Sequence, residues 1–141
     1  MPITPTLNLY YDFSNNNVLD SNGSSTAASV PYMYKANNYI LNIEIYNTYP
    51  VKMDLSSVSD WKYGISTLNA VYSPLVETLN ADIDSSNAAT GTIVVQVNTN
   101  STTLDTYMGT AEVKTLYEEL RGDDVSTILL TPIYIRGTVY E

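Results

Sequence analysis

Cysteine and histidine are both absent from this chain. Their absence excludes a disulfide framework, a thiolate or imidazole zinc centre, a cysteine nucleophile and a Ser-His-Asp triad. Basic residues are scarce, with 6 Lys and Arg against 15 Asp and Glu and a formal charge of -9. Such a balance opposes the counterion release behind nucleic-acid binding and the attraction to anionic bilayers, so neither partner is expected. Charge of either sign is sparse, at 15% of residues, against roughly 25% in ordinary soluble domains. Long apolar runs are missing, so no segment is expected to span a membrane. The opening Met1-Pro2-Ile3-Thr4-Pro5-Thr6 has no basic region followed by an apolar one, so no signal peptide is expected.

What the chain does contain is tyrosine and small neutral polar residues. There are 13 Tyr beside one Phe and one Trp, and 17 Thr, 14 Ser and 14 Asn. Threonine and tyrosine suit a pleated, half-buried surface, and the usual residues of helix surfaces are thin. At 141 residues the length is that of one domain. The composition predicts an all-β protein.

Periodicity agrees. Leu7, Leu9, Tyr11 and Phe13 alternate with Asn8, Tyr10 and Asp12, which predicts a strand with one buried face after a flexible segment 1–6. Residues 14–30 form a long polar loop on this reading, with a turn signal at Asp20-Ser21-Asn22-Gly23. Tyr39, Leu41, Ile43 and Ile45 repeat the strand pattern, and Asn47 to Pro50 turn the chain. Two short strands follow, on Val51, Met53 and Leu55 and on Trp61, Tyr63 and Ile65. Leu68 to Ala89 has no regular spacing and contains Pro74, so it reads as a long connection. Ile93, Val95 and Val97 mark the clearest strand of the second half.

After that strand comes a helix of one or two turns. Ser101 to Thr103 offer capping hydroxyls, Asp105 sits at the positive end, Leu104, Tyr107 and Met108 share a face, and Gly109 can take a left-handed stop. Ala111 to Gly122 has both helical spacing (Val113, Leu116, Tyr117, Leu120) and strand spacing (Leu116, Glu118, Leu120). The strand is favoured, because Gly122-Asp123-Asp124 is a turn signal and Ile128 to Val139 is β-branched and aromatic, making a terminal hairpin. Pro132 inside it calls for an edge, a bulge or a bend. Seven to eight short strands with one helical turn predict a single antiparallel β-sandwich over 1–141, with Trp61, Ile43, Ile45 and Val95 in its core.

Three stretches carry a likeness: Tyr11-Asp12-Phe13, Met53-Asp54-Leu55-Ser56 with Trp61-Lys62-Tyr63-Gly64-Ile65, and the last strand Thr131 to Val139. Together they resemble the immunoglobulin-like β-sandwich domains of bacteriophage virions, such as the N-terminal modules of baseplate upper and tail-fibre proteins. The resemblance implies a virion structural protein of tail, baseplate or fibre, made in the bacterial cytoplasm and docking to other virion proteins, commonly as a homo-oligomer. It brings no catalytic residue and no cofactor. The family's longer members continue into a shaft or receptor-binding head, whereas this sequence stops at Glu141, which points to an adaptor, fibre-base or decoration role.

Candidate sites are few. Asp82, Asp84, Ser86 and Asn87 have an acidic rhythm without the glycine and closing glutamate of a calcium loop, and Asp123 and Asp124 suit a turn that bonds its own backbone. Glu118 and Glu119 are adjacent, a poor arrangement for two-carboxylate glycoside hydrolysis, and read as solvent-facing charges; no enzyme is expected. Tyrosine is the one residue type in excess that can carry recognition. Tyr10, Tyr32, Tyr34, Tyr46 and Tyr49 fall on loops or outward positions and form the candidate interface, for protein first and for glycan as the alternative.

Overall fold

The computed structural model describes residues 4–24, 32–67, 74–123 and 126–137. Parts of the expected flexible start (1–3), polar loop (25–30), connection (68–73) and terminal strand (Thr138, Val139), together with Asp124, lie outside the described residues.

Two sheets pack face to face as a β-sandwich. The first contains β1 (Thr6–Asp12), β2 (Asn17–Leu19), β4 (Asn38–Thr48), β5 (Val51–Lys52), β8 (Ile83–Asp84) and β9 (Thr92–Asn98), in the order β2-β1-β4-β9-β8 with β5 alongside β4. The second contains β3 (Met33–Tyr34), β6 (Lys62–Ser66), β7 (Pro74–Thr78), β10 (Val113–Gly122) and β11 (Ser126–Arg136), in the order β3-β11-β10-β6-β7. The sheets are mostly antiparallel, but β1 runs parallel to β4 and β3 parallel to β11. Parallel neighbours need a crossover, here the chain between β1 and β4.

Alternation explains which side chains meet. Leu41, Ile43 and Ile45 of β4 face Ile93, Val95 and Val97 of β9 across one sheet, while Ile65, Leu116, Ile133 and Ile135 face them from the other, all within one buried cluster. Trp61 joins that cluster at 1% exposure, just before β6, and its backbone N–H donates to Asn80 Oδ1 at 3.0 Å.

Helix α1 (Thr102–Met108) follows its expected N-terminal capping, whereas Gly109 ends it at φ 56 and ψ -122, outside the left-handed helical region expected of it. Ser101 Oγ accepts from the Leu104 N–H at 3.3 Å and donates to the Leu75 carbonyl at 2.9 Å, which ties the helix to β7. Leu104 and Met108, four residues apart, are buried, whereas Tyr107 swings outward beneath Lys114 Nζ, 4.1 Å from its ring centre.

Several segments depart from the sequence reading. Residues 17–19 of the expected loop pair with β1, and the expected connection yields β7 and β8. Segment 1–6 is partly anchored, because Thr6 opens β1 and the Pro5 carbonyl accepts from Ile40 N–H at 2.9 Å. The strand expected over Val51, Met53 and Leu55 shrinks to two residues. Segment 113–122 is a strand, and Pro132 lies where β11 has only β10 as a neighbour, β3 pairing at Ile135 and Arg136 alone.

Candidate functional site

The five tyrosines singled out from the sequence separate onto opposite sheets. Tyr32 and Tyr34 meet edge-on, ring centres 5.9 Å apart at 75°, and the Arg136 guanidinium lies 4.8 Å from the Tyr32 ring centre. Tyr34 sits beside Arg136 in register, so this pair belongs to the outer face of the second sheet. Since Ile133 and Ile135 point inward, Pro132 and Tyr134 must point outward, and Val113, Thr115 and Tyr117 of β10 lie opposite that row. Tyr32, Tyr134 and Val113 are 49%, 47% and 47% exposed. The face is a row of tyrosine rings between a proline and a valine.

Charge is distributed differently there. Lys62, Arg121 and Arg136, three of the six cationic residues, lie on the outer face of β6, β10 and β11, against Glu119. Arg121 Nε is 3.5 Å from Glu119, which also accepts from the Thr127 hydroxyl. This face does not share the acidic excess of the whole chain.

Tyr10 and Tyr46 lie on the other sheet and Tyr49 in the turn after β4, and of these Tyr46 is occupied within the molecule. Tyr46 is buried, stacked edge-on against Tyr49 at 4.9 Å and lying 5.4 Å beneath Lys52 Nζ. Lys52 in turn pairs with Glu44 at 2.8 Å, and the Tyr46 hydroxyl donates to Glu44 at 3.3 Å. Burial, then the Glu44 charge, pushes the Tyr46 hydroxyl up to about 12. Tyr49 lies directly over Gly23, at the foot of the turn that Asp20 closes by accepting from the Asn22 and Ser24 backbone N–H groups. The outward position of Tyr46 on its strand is thus covered by a local fold-back, which strand alternation cannot reveal.

The two glutamates also part. Glu119 is on the outer face, but Glu118 points into the sandwich and is fully buried, contrary to the reading of a solvent-facing charge. The β10 pairing places it inward between Leu116 and Leu120. Its Oε1 accepts from the Tyr63 hydroxyl at 2.6 Å, and its Oε2 has no hydrogen-bond partner among the described residues. Burial pushes its carboxyl up to about 8, with the Tyr63 hydrogen bond acting in the opposite direction. Tyr63 itself is raised well above its ordinary value, by burial and then by the neighbouring carboxyl. Carboxyls on opposite faces of a strand cannot flank one glycosidic bond.

Among the described residues, no group of three or more Asp and Glu could hold a metal ion. The Ser86 hydroxyl and then its N–H, at 2.9 Å, bond Asp84 in a local turn and lower its carboxyl. Asp123 accepts from Ser59 N–H at 3.0 Å, so it clamps a distant loop to the hairpin.

A cleft among the described residues was not visible in the sequence. Beyond the two-residue β8, β9 loses its strand neighbour, and the chain leaving β7 passes over that edge through a 3-10 turn at Asn80–Asp82. Thr78 Oγ1 donates to the Gln96 carbonyl at 2.6 Å and holds this crossing in place. The result is an open cleft of about 650 Å3 lined by Asn38, Ile40, Glu77, Leu79, Asp82, Gln96 and Asn98 among others. Neither a known protein-family model nor a curated protein sequence matches this chain.

Proposed function

We propose that this chain is a non-catalytic structural component of a bacteriophage particle, an immunoglobulin-like adaptor or decoration domain that works by protein contacts, first with copies of itself. The observation that carries the reading is the outer face of β3, β11 and β10, where Tyr32, Tyr134 and Val113 are about half exposed on one surface. Aromatic residues at the centre of a patch with charges at its margin are the usual make-up of a protein interface. Its mixed charges let two chains of charge -9 approach there without concentrating like charge. The resemblance to virion sandwich domains supports the setting.

The alternative, a carbohydrate-binding module working through surface tyrosines, is less well served by these rings. Arg136 covers one face of Tyr32, and Tyr34 meets it edge-on. A sugar stacking there would have to displace the guanidinium.

Sedimentation velocity over a range of concentrations tests the assembly. A discrete oligomer is expected, reverting to monomer in a Tyr32→Ser, Val113→Ser, Tyr134→Ser triple variant whose melting temperature is unchanged. A monomer at every concentration removes the self-contact. Detection of the chain in purified phage particles by mass spectrometry tests the setting.

A further inference from the structure

We propose that the cleft beside β9 is a binding site for a neutral saccharide, separate from the tyrosine face and independent of the assembly it serves. The cleft's volume of about 650 Å3 falls within the range of small-molecule sites, roughly 300–1,000 Å3. Its chemistry narrows the ligand. Asn38, Gln96 and Asn98 line it, and each carboxamide can donate and accept at once, as a sugar hydroxyl can. Asp82 and Glu77 add carboxylates, which accept from neighbouring hydroxyls of one ring. Ile40 and half-exposed Leu79 add an apolar patch for ring C–H groups.

Among the described residues no Lys or Arg lines the cleft, so phosphorylated, sulfated and sialylated ligands would find no cation in its walls and would face the Asp82 carboxylate. A cationic amine would suit Asp82 but leave the three carboxamides without a role. The walls are in part preset. The Thr78 hydroxyl fixes the β7 crossing against Gln96, and Asn98 Oδ1 already accepts from the Asn100 N–H at 2.9 Å, leaving the Asn98 amide N–H groups as donors. Fixed donors reduce the ordering cost of binding.

The test is a titration of the full chain with cellobiose, diacetylchitobiose and maltotriose, and with spermidine as a cationic probe, followed by amide chemical shifts at low and high salt. For at least one of the three sugars, saturable shifts are expected at Asn38, Ile40, Gln96 and Asn98, unchanged by salt. Gln96→Ala and Asp82→Ala, both at exposed positions, are each expected to weaken that binding about tenfold while the melting temperature holds. Tyr134→Ser is expected to leave it unchanged. The proposal is overturned by no saturable shift with any of the sugars, by shifts confined to the tyrosine face, by variants that bind as the parent does, or by a cleft that responds only to spermidine. Loss of self-association in the triple variant has no bearing on these outcomes.

Discussion

Glu118 occupies an inward position that alternation reserves for a hydrophobe, and the protein tolerates it by keeping it protonated. In the unfolded chain its carboxyl titrates near 4.5, and in the fold burial pushes it up to about 8. Because the folded value is the higher one, its contribution to stability is complete below pH 4.5 and is lost as pH rises towards 8. Between those values the unfolded state releases a proton that the folded state keeps, a slope of about 1.4 kcal/mol per pH unit at most. The expected result is a melting temperature that falls between pH 5 and pH 8 in the parent and falls much less in Glu118→Gln. An identical slope in both proteins would refute the assignment. Tyr63→Phe removes the hydrogen bond to Oε1 and should destabilise by about 1–3 kcal/mol in chemical denaturation. The identity of Glu118 as a strand residue was legible from its spacing with Leu116 and Leu120. The same spacing sets Glu118 on the face of Leu116 and Leu120 and Glu119 on the other, and only the usual preference of a carboxylate for water argued against its burial.

Among the elements, the sharpest backbone demand falls between the 3-10 turn Ala88–Thr90 and β9. Gly91 has φ +75, a Cβ there would press on the Ile45 carbonyl and lie 3.0 Å from the Met53 carbonyl, and its own carbonyl accepts from Ile45 N–H at 2.8 Å. Both conformation and space exclude a side chain, so Gly91→Ala should cost about 2–4 kcal/mol. Gly109, which ends α1 at φ +56 and ψ -122, faces open space, so Gly109→Ala adds backbone strain without a clash and should cost less than Gly91→Ala, about 1–3 kcal/mol. Equal losses in denaturant titrations would show that the β4 strand yields at Gly91. The long strands β4, β9, β10 and β11 announce themselves because seven or more residues give alternation room to appear. Strands of two or three residues, such as β2, β5 and β8, carry no such signal. They become strands because a longer neighbour offers unpaired backbone groups.

For the whole molecule, the decisive quantity is a charge of -9 combined with an interface candidate that does not share it. The self-association proposed for the tyrosine face would bring two acidic bodies together, and added salt screens such repulsion within about 10 Å at 0.1 M. The association constant should therefore rise several-fold between 0.02 and 0.2 M NaCl, read by sedimentation. A fall with salt would mean that opposite charges, not apolar contact, hold the copies together.

Absence of cysteine and histidine, excess of threonine and tyrosine, and period-two alternation were enough to determine an all-β chain and much of its core, because those properties act locally and repeat along each strand. Which tyrosines stay exposed was decided only by tertiary structure. Tyr46 and Tyr134 both occupy outward positions of long strands, yet Tyr49 and Lys52 cover the first, and the open edge of β11 leaves the second bare. The cleft belongs to the same class. Asn38, Asp82 and Gln96 are ordinary polar residues in sequence, brought to one hollow only because β8 ends before β9 does and the chain must cross the gap.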